Sequence, residues 1–166
     1  MKENKMKWSA DELVQYSPEE LIYTLADAYF AHIEQAGEAV LAQFSDEQHT
    51  LMAYVYFDSQ VQEGGFVQLI ASGYGEYIFA NPVANSLRRW KVKQTPKIID
   101  KAAALYQQCG AEIEAQSDAG VDVAGLRQQF NEFEELDADY YDCAEDDMAI
   151  VKDYIVANWS KFDWKA

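Results

Sequence analysis

Nine of the sixteen residues from Glu132 to Asp147 are acids: Glu132, Glu134, Glu135, Asp137, Asp139, Asp142, Glu145, Asp146 and Asp147. No Lys or Arg lies between Arg127 and Lys152 to neutralise them. Apolar residues nevertheless recur in and after the run, at Phe133, Leu136, Tyr140, Cys143, Ala144, Met148, Ile150, Val151, Tyr154 and Ile155. A disordered acidic tail lacks such interleaving. The segment is therefore expected to be a helical surface anchored on a core.

At about 100° per residue, Phe133, Leu136, Tyr140, Cys143, Ala144, Val151, Tyr154 and Ile155 fall on one broad side. Glu134, Glu135, Asp139, Asp142, Glu145 and Asp146 fall opposite. A continuous helix aims Asp137 and Asp147 at the dry side, and an unpaired buried carboxylate is costly. A break near Asp137, with that residue as a helix cap, is the expectation; the pattern offers no account of Asp147. Sixteen helical residues span about 24 Å, or about one acid per 2.7 Å. Duplex DNA carries about one charge per 1.7 Å of axis, or one per 3.4 Å for each strand. The run thus matches a nucleic acid backbone in linear charge density, although a face that serves only solubility has the same composition.

The formal net charge of −16 disfavours direct contact with nucleic acid or anionic membranes and favours basic partners. Twelve acids and no Lys or Arg lie between Trp8 and Leu87, whereas six of the thirteen bases crowd between Arg88 and Lys101. That compact patch (Arg88, Arg89, Lys91, Lys93, Lys97, Lys101, with Trp90 among them) is expected to pair with acids of the same chain or of a second protomer. No apolar run approaches a membrane span, and none follows Lys2, Lys5 and Lys7. A cytoplasmic protein is expected. Its cysteines, Cys109 and Cys143, lack metal-ligand spacing and read as reduced, core or half-buried thiols.

The rest of the chain reads as helices with punctuated ends. Ser9, Asp11 and Glu12 suit a short opening helix. Ser17-Pro18-Glu19-Glu20 is a capping box with proline at the first helical position. It predicts a helix to about Gln35, stopped before Gly37, with Leu21, Ile22, Leu25, Ala26, Tyr29 and Ile33 inward. Glu20, Asp27 and Glu34, seven apart, align on the other side. Ser45-Asp46-Glu47-Gln48 opens a helix toward Gln62 whose apolar residues surround it, as in a central helix. Gly64-Gly65 ends it, and Phe66 to Ala71 is a short helix. Asn81-Pro82 starts a helix to about Trp90, and Thr95-Pro96 one that ends at Gly110. A polar loop covers about Ser117 to Gly120, and Leu126, Phe130 and Phe133 begin the last helical region. The fold class is all-α: a single compact multi-helix domain over residues 1–166, with acidic surface ridges and residues 1–8 flexible.

Motifs for chemistry are sparse. Asp46-x-x-His49 places two metal-type ligands on one helix face, but His32 is the only other histidine. Neither cysteine sits in a nucleophile motif, and there is no phosphate loop or dinucleotide fingerprint.

Gln60-Val61-Gln62-Glu63-Gly64-Gly65-Phe66-Val67-Gln68, followed by Gly73 and Gly75, resembles the core motif of the helical family that includes a neisserial DNA-mimic protein. Phe133-Glu134-Glu135-Leu136-Asp137-Ala138-Asp139-Tyr140-Tyr141, leading to Tyr154-Ile155, resembles it too, so the likeness runs from about Glu19 to Trp159. The resemblance implies an all-α, homodimeric protein whose acidic surface imitates duplex phosphates. Such a protein occupies the DNA-binding face of a helix-turn-helix transcription regulator and keeps it from its operator, with no cofactor. The contact residues expected here are Glu132, Glu134, Glu135, Asp139, Asp142, Glu145 and Asp146, with Glu20, Asp27 and Glu34 as a second row. The alternatives are an immunity or anti-restriction inhibitor of a basic nuclease, and a metal-dependent enzyme built on Asp46 and His49.

Overall fold

The computed structural model describes residues 8–163, and all regular structure among them is helical. Helix α1 (Ala10–Leu13) is capped by Ser9, whose hydroxyl accepts from the Glu12 N–H. Helix α2 (Pro18–Ala36) begins with the expected reciprocal box: Ser17 Oγ accepts from the Glu20 N–H at 3.2 Å, and the Glu20 carboxylate accepts from the Ser17 N–H at 3.1 Å. It stops at Gly37, whose φ of 87° suits only glycine. After a 3-10 turn (Glu38–Gln43), the Ser45–Gln48 box opens α3 (Asp46–Ala71). Then follow α4 (Gly75–Phe79), α5 (Val83–Arg89), α6 (Thr95–Asp118) and α7 (Val123–Gln129). A second 3-10 turn (Asn131–Phe133) leads into α8 (Glu134–Ala157), and Trp159–Lys161 forms a third. The region expected to be flexible, residues 1–8, falls outside the described residues except for Trp8, whose ring lies 6.2 Å from that of Trp159.

Helix α3 is the axis of the molecule, because its apolar residues leave it no wet side. Leu51, Tyr54, Phe57, Val61 and Phe66 are all fully buried, and α2, α4, α5, α6, α7 and α8 pack around it. Its directions relative to α2 and α8 follow from individual bonds. Tyr23 of α2 and Tyr140 of α8 both donate to Asp58, while Tyr29 OH and Gln48 Nε2 both donate to the Phe162 carbonyl near the start of α3. Both neighbours therefore run antiparallel to α3 and in the same sense as each other. Fully burying rings such as Phe57, Phe66, Phe133 and Tyr140 contributes roughly 1.5–3 kcal/mol apiece.

Gly64 and Gly65 interrupt α3 rather than end it. Gly64 has φ −150°, and Gly65 has φ 77° and ψ −175°, a combination essentially confined to glycine. The helix restarts at Phe66, whose N–H is no longer satisfied within α3. It donates instead to Asp137 Oδ1 at 2.8 Å, from α8. The break expected near Asp137 is therefore absent: α8 is continuous through that residue, and Asp137 caps a different helix. The chain breaks earlier, at Phe130, where φ −111° and ψ 53° end α7.

Asp147 has the same kind of role. Its Oδ2 accepts from the Thr95 N–H at 2.7 Å, the Thr95 hydroxyl at 2.6 Å and the Gln94 N–H at 3.2 Å, which satisfies the start of α6. That helix overruns its expected end at Gly110 by two turns, reaching Asp118. Gly110 serves packing: a Cβ there runs into the ring of Tyr106, whose hydroxyl donates to Glu114 Oε1 at 2.6 Å.

Candidate acidic interface

The amphipathic division of α8 is as the wheel predicts. Phe133, Leu136, Tyr140, Ala144, Val151 and Ile155 are buried, and Cys143 and Tyr154 half-buried. Glu132, Glu134, Glu135, Asp139, Asp142, Glu145 and Asp146 are all exposed. Glu135, Asp139, Asp142 and Glu145 follow one another at steps of four or three residues, so each is about 4.5–6 Å further along the axis. Three acids in the first turn (Glu134, Glu135 and Asp137) also favour the positive end of the helix dipole, which helps α8 start where no side chain caps it.

The second row is likewise exposed at Glu20, Asp27 and Glu34. Glu20 differs from the other nine because it holds the capping box. None of those nine engages in a hydrogen bond or ion pair among the described residues. The two rows meet at the start of α2. A groove of about 510 Å³ there has Ser17, Pro18 and Glu19 on one wall and Glu145 and Asp146 on the other, with Asp58 beneath. Because α2 and α8 run in the same sense, the α2 row continues away from the end of the α8 row.

Lys152, the base on α8 itself, does not pair with these acids. It is turned toward backbone, donating to the carbonyls of Val14 at 3.0 Å and Tyr16 at 2.6 Å. Within the Arg88–Lys101 patch, Arg88 pairs with Asp100 and donates to Asn85, and Arg89 donates to the Ser86 hydroxyl. The expected intrachain pairing is therefore present at Arg88; Lys91, Lys93, Lys97 and Lys101 are exposed.

Three acids are excluded from the surface. Asp58, Asp137 and Asp147 are 2–3% exposed. Burial pushes the Asp137 carboxyl above the usual carboxylate range, opposed by the Phe66 N–H and the Arg127 charge. Asp58 carries the interlock of α2, α3 and α8, a role that sequence reasoning missed. The available signal was its position among apolar residues of a helix already read as central.

Asp46 and His49 share a cavity of about 340 Å³ with Thr50, Tyr77 and Arg89. His49 Nε2 lies 2.9 Å from the Leu41 carbonyl, and no group of three metal-type ligands occurs among the described residues. Both cysteines are free and half-buried; burial raises the Cys109 thiol and lifts that of Cys143 to about 11, so neither is poised as a thiolate nucleophile. No described helix is long and apolar enough to cross a membrane.

A family model described as DMP19-like protein matches residues 42–158. Over 152 residues, covering 92% of both chains, the sequence is 55% identical to a protein of Neisseria meningitidis serogroup B (strain ATCC BAA-335 / MC58) named DNA mimic protein DMP19. The matched region contains α3, the Gly64-Gly65 kink and all of α8.

Proposed function

The chain belongs to the DMP19-like protein family, and from that premise we propose that it acts as a DNA mimic toward a basic DNA-binding protein. The partner we infer is a helix-turn-helix transcription regulator, held off its operator in the cytoplasm by a homodimer of this chain. The observation that carries this reading is the set of exposed acids on α8 and α2, of which all but Glu20 have no hydrogen-bond or ion-pair partner among the described residues. Carboxylates on packed helices meet the Arg and Lys that otherwise neutralise phosphates. Complementary charge steers encounter and fixes register, and rigid mounting limits the ordering cost on binding.

The test is capture of the regulator from the source cell's lysate at low salt, followed by competition with its operator DNA. The protein is expected to displace the DNA, and to do so less well as salt rises. A captured regulator that keeps its operator at low salt excludes the reading. The variant E134Q/E135Q/D142N/E145Q is expected to lose competition while keeping its helical content and melting temperature. If a basic nuclease is captured instead, the same surface serves as an inhibitor of that enzyme.

A further inference from the structure

A second surface lies on the opposite side of α3 from the acidic groove. His49 and Asp58 are nine residues apart, about 180° around the helix. On the His49 side, a groove of about 590 Å³ runs between the second half of α2, the first 3-10 turn, α3 and the Gly73–Tyr77 segment. Its floor is aromatic. The Tyr56 ring stacks on Tyr74 at 5.1 Å and 27°, meets the edge of Tyr77 at 6.0 Å and 85°, and packs on Phe30 at 4.9 Å. Tyr77 is one of the few large apolar side chains left exposed, at 38%. Glu34 and Glu38, both exposed, stand at the rim. The whole groove is built from residues 30–77, a stretch without a single Lys or Arg.

We propose that this groove anchors an arginine side chain of the basic partner, separately from the phosphate-like ridge. Tyrosine faces attract a cation, and a guanidinium stacks on them in plane while its aliphatic stem lies along apolar walls. Two carboxylates at the rim complete its charge, and no Lys or Arg of the groove's own opposes it. A phosphate or another anion finds no Lys or Arg here and faces two carboxylates, while Nε2 of the lining His49 lies 2.9 Å from the Leu41 carbonyl; a neutral apolar side chain leaves Glu34 and Glu38 unused. Glu34 belongs both to the α2 acidic row and to this rim, so one partner can span the two surfaces. The inference rests on the DNA-mimic reading for its partner, but the groove's preference for a guanidinium is testable without it.

The probe is N-acetyl-arginine amide, with the citrulline and leucine amides as neutral controls, titrated against the full chain with labelled tyrosine rings followed by NMR. Saturable shifts are expected at Tyr56, Tyr74 and Tyr77. Citrulline should bind about two- to fivefold more weakly, and E34Q/E38Q should reduce arginine binding by a similar factor. That variant changes only exposed side chains and keeps the fold; Y74L is the second variant, accepted once its melting curve shows it folded. Shifts confined to tyrosines near α8, or equal binding of arginine and citrulline, overturn the proposal. With a captured regulator, E34Q/E38Q should raise the dissociation rate, and Y74L should do so without changing the salt slope. A regulator that competes with DNA yet ignores both variants overturns this inference and leaves the DNA-mimic reading intact. Arginine binding in the groove with no DNA competition has the opposite meaning.

Discussion

Asp58, Asp137 and Asp147 are carboxylates inside the molecule, and each accepts from another helix, Asp58 also from Gln62 of its own. Asp147 satisfies three donors at once, so Asp147→Ala leaves the first turn of α6 unpaired in a dry site. A destabilisation of roughly 2–4 kcal/mol is expected in urea melts. Asp137 has a different pH signature. Its folded pKa lies above the unfolded value, so the unfolded chain ionises first as pH rises. This group therefore opposes folding at neutral pH, and the penalty disappears as pH falls through its folded pKa toward the ordinary aspartate value of 3.8. Asp137→Asn removes the titration but keeps an acceptor for the Phe66 N–H. Wild type should consequently gain stability relative to Asp137→Asn on acidification from pH 7 toward about pH 4; parallel melts across that range check it. A gap that stays constant or moves the other way refutes it.

Helix starts were the most legible elements, because Ser17 and Ser45 carry their partners three residues away in the chain. The wet and dry sides of α8 were legible for the same reason: the period is local. What stayed hidden was satisfied across the fold. Asp137 lies 71 residues from Phe66 and Asp147 lies 52 from Thr95, so the chain near either acid contains no trace of its donor. Gly110 misled because a glycine that makes room for a neighbouring ring looks, in sequence, like one that ends a helix. Gly65 combines both uses, a backbone conformation open only to glycine and a close approach of the Asp137 carboxylate. Gly65→Ala should cost at least about 2 kcal/mol. In an Asp137→Ala background the added cost should shrink, since the group that the new methyl strikes has gone. Additivity in that double-mutant cycle counts against the close approach as a source of the cost.

Across the whole molecule the net charge is −16, and six of the thirteen bases are gathered in one patch. Self-repulsion on this scale destabilises the compact state and is screened by ions. The melting temperature should rise between about 0.01 M and 0.15 M salt, as the Debye length falls from about 30 Å to 8 Å. The E134Q/E135Q/D142N/E145Q variant should show a smaller rise; an unchanged salt response locates the repulsion elsewhere. The position and exposure of the ridge acids were legible from a helical period alone. That the same surface turns a second, aromatic side away from them was not, since it needs α2, the 3-10 turn, α3 and the Gly73–Tyr77 segment brought together.

The caps that α8 supplies to its neighbours also bear on the timescale of opening. Backbone amides at the start of a helix ordinarily exchange with solvent quickly, for want of an internal acceptor. Those of Phe66 and Thr95 are fastened to buried carboxylates of α8. In deuterium they should rank with mid-helix amides, exchanging only when α8 leaves the rest of the molecule. Their two rates therefore measure how often the acidic helix lets go, and fast exchange at both sites places its undocking far below global unfolding.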